Sequence, residues 1–163
     1  MLILQAEQLQ TMKLHAVGTY PEECCGLLLG TQASNHDRRQ VFEVIALPNH
    51  WTARVSQITE TEPTSTALNK GNRYWVDPKD LLNAQRTARD RGWIILGVYH
   101  SHPDHPAEPS ERDRRLAWTE YSYPILSTCQ KQVVDIQSWR LSEQGHFESE
   151  KIILADVDHS DES

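Results

Sequence analysis

Ile95–Asp113 reads ILGVYHSHPDHPAEPSERD. A branched, apolar run ends in two histidines one residue apart, and a serine and an aspartate follow after a short loop. The chain has 8 histidines, and His100, His102 and His105 all fall in this segment. Histidines at i and i+2 at the end of a strand leave the same face. Ser110 and Asp113, at i and i+3 of a helix start, also share a face. If the loop between them folds back, two imidazoles and one carboxylate converge. Two neutral nitrogen donors and one hard oxygen suit zinc and leave a fourth position for water. No fourth protein ligand is offered locally, so an open, water-activating site reads better than a closed structural one. Pro103, Pro106 and Pro109 stiffen the loop. The competing reading is a polar loop of accidental composition, with Ser110 only a helix N-cap and Asp113 only an acid that favours the helix dipole.

Working outward, Trp93–His102 is expected as a strand, and a helix should start at Ser110. Upstream, Asp77-Pro78 sets an N-cap with proline at the first helical position. That helix presents Leu81, Leu82 and Ala88 and closes at Gly92. CCGLLLGT, Cys24–Thr31, is a short apolar run bounded by glycines and reads as a buried strand. QVFEVIALPN, Gln40–Asn49, alternates and stops at Pro48, giving a second strand. AEQLQTMKLHAVGTY, Ala6–Tyr20, is expected as an amphipathic helix through Leu9, Met12 and Val17, broken by Pro21. YPILSTC (123–129), QVVDIQSWRLSE (132–143) and GHFESEKIIL (145–154) read as further strands. Residues 52–72 are polar and aperiodic, a length that marks a functional or mobile insertion. Residues 156–163 form an acidic tail expected to be disordered. Helices interleaved among strands indicate an α/β fold, a mixed sheet flanked by helices, in one domain over 1–155.

The bulk numbers narrow the function. A chain of 163 residues suits a single core. A net charge of -7 argues against nucleic acid as the main partner, since phosphate binding needs a basic face. The one basic cluster, Arg112–Leu116, reads as a solvated helix face. No apolar run approaches the roughly 18 residues of a membrane span, and the first ten residues lack a signal-peptide pattern. Cys24 and Cys25 are adjacent and do not easily bridge, so with Cys129 they are expected as free core thiols in a reducing cytoplasm. No CxxC pair is present, which excludes a thiolate zinc finger. Trp51 is left open between core packing and an exposed substrate platform.

HSHPDHPAEPSERD resembles the signature of the JAMM (MPN+, Mov34/PAD-1) zinc metalloproteases, H-x-H-P, six residues, then S-x-x-D. EECCGLLLG supplies the family's upstream E-x-x-G, with Glu23 three residues before Gly26. PN at 48–49 and RYWVDP at 73–78 also look like short bacterial members, so the resemblance covers most of residues 5–140. It implies a JAMM/MPN core, related to that of cytidine deaminases, holding one Zn2+ per chain on His100, His102 and Asp113. Glu23 would be general base on the bound water and then acid for the leaving amine, and Ser110 would donate to the oxyanion or the water. The implied substrate is a ubiquitin-like or sulfur-carrier protein, cut after its C-terminal Gly-Gly at a peptide or isopeptide bond. That tail would enter as an extended chain, gripped by the 52–72 segment. His105 lies outside the motif and reads as a loop or substrate contact. A non-catalytic MPN scaffold and a RadC-like protein associated with DNA repair stay as alternatives, and a homodimer is compatible with the sequence.

Overall fold

The computed structural model describes residues 1–59 and 67–155. The elements in chain order are β1 (Leu2–Leu4), α1 (Ala6–Thr19), β2 (Cys25–Gln32), β3 (Arg39–Leu47), α2 (Ala53–Thr59) and α3 (Pro78–Asp90), then β4 (Ile94–Pro103), α4 (Glu111–Leu116), β5 (Ser122–Cys129), β6 (Gln132–Leu141), β7 (Phe147–Glu150) and β8 (Ile152–Leu154). The strands form one sheet in the order β7-β6-β5-β4-β2-β3-β1-β8. It is mixed: β4 and β5 run parallel, as do β1 with β3 and β8, while the other pairs are antiparallel. The α/β class expected from the sequence is the class observed.

β2 is apolar on every residue of its first half because both its faces are covered. Leu28 packs with Met12 and Ala16 of α1, whereas Leu27 and Leu29 pack with Ala84 and Ala88 of α3. This period of two sandwiches the central strands between α1 and α3. The α3 start is capped as its sequence indicates, the Asp77 carboxylate accepting from the Lys79 amide at 2.7 Å. Among the described residues, no helix is long and apolar enough to cross a membrane.

Several expectations are corrected. Leu2–Leu4 forms β1, too short to show a period in the sequence. The single strand expected over 145–154 is two, parting at Lys151: β7 pairs with β6, and β8 pairs with β1. One run of chain therefore serves both ends of the sheet, which is curled until they meet. Residues 53–59 of the polar segment are helical rather than irregular. Residues 60–66 and the acidic tail at 156–163 lie outside the described residues. Cys129 is exposed, being the last residue of β5, while Cys24 and Cys25 are buried as expected. Leu82 is exposed, whereas Ala88 is buried as expected and Ala84 with it, small residues that let α3 lie close to the sheet. Trp51 is buried.

Candidate functional site

The antiparallel pairing of β2 with β4 brings two distant segments together. Cys25 stands opposite His100, so the residues just before β2 run beside those just after His100. Ser101 seals this junction: its amide donates to the Cys24 carbonyl at 3.2 Å, and its hydroxyl accepts from the Cys24 amide at 2.8 Å. Glu23 is thereby set at the level of His102, although the two are far apart in sequence. Gly26 makes the approach possible. A Cβ there would lie 2.3 Å from the Tyr99 ring and 2.4 Å from the Ile45 carbonyl oxygen, inside any real contact distance.

His100, His102 and Asp113 converge, one donor atom from each lying within 4.8 Å of the others. The two Nε2 atoms are 3.0 Å apart. Asp113 Oδ1 lies 3.3 Å from His100 Nε2, and Oδ2 lies 3.5 Å from His102 Nε2. All three side chains are buried. His102 Nδ1 lies 2.8 Å from the Pro106 carbonyl, which accepts only, so Nδ1 carries the proton and Nε2 presents a lone pair inward. His100 Nδ1 is buried without a partner, and the ring is held instead by Tyr74, stacked at 4.6 Å between centroids. Two imidazole nitrogens and one carboxylate, pre-aimed at a common point, match the donors of an open divalent zinc site.

Asp113 is aimed by the start of α4. The Ser110 hydroxyl accepts from the Asp113 amide at 3.1 Å and donates to Asp113 Oδ2 at 2.7 Å, and the Ser110 amide donates to the same oxygen at 2.7 Å. This capping box saturates Oδ2 and leaves Oδ1 towards His100. The loop between histidines and α4 is pinned by more than its prolines. Ser127 Oγ donates to the His105 carbonyl at 2.6 Å, Trp139 Nε1 donates to the Ala107 carbonyl at 2.9 Å, and Tyr20 Oη donates to the Asp104 carboxylate at 2.9 Å.

Glu23, His102 and Ser110 line one cleft of about 370 Å³, with Asn72, Arg73 and His105 at its walls. His105 is exposed and does not join the donor group. Burial pushes the Glu23 carboxyl up to about 8, against an opposing pull from His102. Burial also raises Asp113, but the facing His100 and His102 outweigh it and hold that carboxyl well below the usual carboxylate range. For His100 burial wins and lowers it, whereas for His102 the Asp113 carboxylate overcomes burial and raises it. Two carboxyls in one site thus sit at opposite extremes, Asp113 charged and Glu23 neutral near pH 7.

Residues 5–142 match the family described as prokaryotic homologs of the JAB domain. The chain belongs to the short prokaryotic JAB (JAMM/MPN) family. Relatives of this JAB chain include a Thermus thermophilus protein named probable TtuB-protein conjugate cleaving protease, 33% identical over 74% of the chain and 66% of its own length. The CysO-cysteine peptidase of Mycobacterium tuberculosis is 25% identical over 86% of the chain and 82% of its own length. A solution structure from Desulfitobacterium hafniense superposes with a TM-score of 0.75 at 32% identity, covering 98% of this chain and 97% of that one. A JAB1/MPN domain protein from Archaeoglobus fulgidus shares the fold at a TM-score of 0.51 and 19% identity, over 94% of this chain and 99% of that one.

Four further residues shape this JAB site, and one of them corrects an expectation: Arg112, expected on a solvated helix face, is buried. Asn49 is a cross-link whose Nδ2 donates to the Glu23 and Arg73 carbonyls at 3.0 and 2.9 Å. Its Oδ1 accepts from the Trp51 and Trp75 amides at 3.0 and 3.2 Å. Tyr74 stacks on His100, and Ser101 seals the strand junction. Arg112 donates to the Tyr74 carbonyl at 3.3 Å and lies over its ring. Asn49 and Tyr74 lie in PN and RYWVDP, stretches that the resemblance marks without giving either residue a role, and nothing in the sequence marks Ser101 or the burial of Arg112.

Proposed function

We propose that this JAB chain is a zinc-dependent peptidase that cleaves after the C-terminal Gly-Gly of a ubiquitin-like or sulfur-carrier protein. The observation that carries it is the meeting of the His100–His102–Asp113 donor group with Glu23 and Ser110 at one cleft. The names of the Thermus and mycobacterial relatives support the substrate class.

His100, His102 and Asp113 would hold the metal, which when bound supplies a Lewis acid that polarises a carbonyl and activates water. Glu23 takes a proton from the attacking water and returns it to the leaving nitrogen. Burial pushes the Glu23 carboxyl up in the metal-free chain, and a bound dication would pull it back towards the carboxylate that the first half of the cycle needs. Ser110 gives its one hydroxyl proton to Asp113 Oδ2. To donate to a developing oxyanion the hydroxyl must rotate, so Ser110 holds Asp113 in the free enzyme and turns to substrate during the reaction. Asn72, the last residue of the 52–72 segment, and the adjoining Arg73 line the cleft, and that segment would grip the tail.

The decisive experiment pairs metal analysis with cleavage of a fusion joined through Gly-Gly. Glu23→Gln should keep its metal and lose turnover by a factor on the order of 10² to 10⁴, while His100→Ala should lose both. Normal cleavage by Glu23→Gln would overturn this mechanism.

A further inference from the structure

The two imidazoles of the donor group are held in different ways. His102 Nδ1 lies 2.8 Å from the Pro106 carbonyl, the kind of hydrogen bond that fixes the tautomer and aim of a ligating histidine. His100 has no such bond: among the described residues its Nδ1 is buried without a partner. An imidazole on two rotatable bonds then needs another restraint if Nε2 is to stay aimed at the shared point. Tyr74 supplies it. Its ring stacks on His100 with centroids 4.6 Å apart and planes 25° from parallel, while His102 meets the same imidazole edge-on at 4.8 Å.

Tyr74 is itself firmly set. It packs against the buried cluster of Cys25, Leu27 and Leu29. Arg112, next to Asp113 in the chain, donates to its carbonyl at 3.3 Å and lies over its ring at 5.9 Å. The stack does more than fill space. An imidazole that gives its Nε2 lone pair to a dication becomes positively polarised, and such a ring gains from lying on the electron-rich face of a phenol. The contact is therefore stronger in the loaded chain than in the empty one. Only a contact that differs between two states shifts the balance between them, so this one acts on metal affinity. An aliphatic side chain of similar bulk would fill the same space without that difference.

We propose that Tyr74 is a positioning residue of the metal centre, holding His100 by the face of its ring where a hydrogen bond holds His102. The inference rests on the reading of His100, His102 and Asp113 as zinc donors. The test measures zinc affinity of the full chain by competition with a chromogenic chelator, and records the d–d absorption of the cobalt(II)-substituted protein. Tyr74→Leu should weaken zinc by about tenfold to a hundredfold and shift the cobalt bands. Tyr74→Phe keeps the ring face and should stay within about threefold of wild type. Tyr121 packs on the same cluster, but its ring contact is with Tyr123. Tyr121→Leu should thus bind zinc as wild type does, even where its melting temperature falls. In zinc-loaded wild type the ring protons of His100 should resonate upfield, as stacking on Tyr74 requires, and this measurement decides the matter where Tyr74→Leu does not fold. Unchanged zinc affinity in Tyr74→Leu, an equal loss in Tyr74→Phe or in Tyr121→Leu, or unshifted His100 ring protons would each overturn the proposal. Wild type that binds no zinc would overturn the metal reading and this inference with it, a failure told apart from the others because it needs no variant.

Discussion

With its carboxyl pushed up to about 8 by burial, Glu23 is protonated at neutral pH in the folded chain and ionised in the unfolded one. Linkage fixes the sign. Between the ordinary value of 4.5 and about 8 the native state binds a proton that the unfolded state does not, so this residue makes stability fall as pH rises through that window. The span corresponds to a cost on the order of a few kcal/mol above pH 8. Glu23→Gln removes the ionisable group and keeps the shape. In chelator-treated protein, melting curves at pH 5 should nearly coincide for wild type and Glu23→Gln, and at pH 8.5 the variant should melt several degrees higher. A gap that is the same at both pH values would show that Glu23 does not titrate in this range. Asn49 acts on the same carboxyl through the backbone, by holding the Glu23 carbonyl. It is a positioning residue, so Asn49→Ala should lower kcat by about tenfold or more with KM and metal content little changed. Asn49→Asp keeps the acceptor for Trp51 and Trp75 but sets a carboxylate oxygen against the Glu23 and Arg73 carbonyls, and should recover neither stability nor kcat. Parallel loss of metal, or a matching rise in KM, would reduce Asn49 to a structural role.

β2 and β4 are the elements on which the site depends, and their closeness rests on Gly26. Gly26→Ala drives a methyl group into the Tyr99 ring and a backbone carbonyl, neither of which can move cheaply, and should cost about 3 kcal/mol or more. Gly18, in α1, offers the matched control. Nothing lies within 4 Å of a Cβ there, so Gly18→Ala should stabilise by about 0.5–1 kcal/mol. Chemical denaturation of both variants checks the pair, and similar midpoints would refute the packing argument. The same two strands show how far the sequence could be read. β2, β4 and α3 are legible because burial on both faces writes a continuous apolar run, and because Asp77-Pro78 is a local start signal. His100, His102, Ser110 and Asp113 are legible as a group since they share one short segment. That Glu23 faces them depends on the register Cys25 to His100, a long-range pairing that no local pattern carries. Tyr74 against His100 is hidden for the same reason. β1 and the break at Lys151 escape because three-residue strands have no measurable period and are specified by their partners.

Curling the sheet until residues 147–154 serve both ends joins the two halves of the molecule at one covalent link. β7 extends β6, β8 extends β1, and the Leu2 amide donates to the Lys151 carbonyl at 2.9 Å. Ile152 packs against the cluster that holds Leu2, Leu4 and Met12 beneath α1. The candidate metal donors His100, His102 and Asp113 lie on β4 and α4, and Glu23 just before β2, so none of them touches this seam directly. Closing the sheet therefore stabilises the fold without building the site. A chain ended after Glu150 loses β8 and uncovers the free edge of β1. With Ile152 and Ile153 half-buried and Leu154 exposed, the loss should be about 2–3 kcal/mol. For a domain of this size that is a fall in Tm of roughly 5–10 °C. Metal content and the relative rates of wild type and Glu23→Gln should be preserved at temperatures below the transition. Uncovering β1 also leaves an unpaired apolar edge, a template for intermolecular pairing, so sedimentation should show concentration-dependent association in the truncated chain. A truncated protein with unchanged Tm would mean that β8 adds nothing to the closure, and one that folds but binds no metal would mean that the seam supports the site after all.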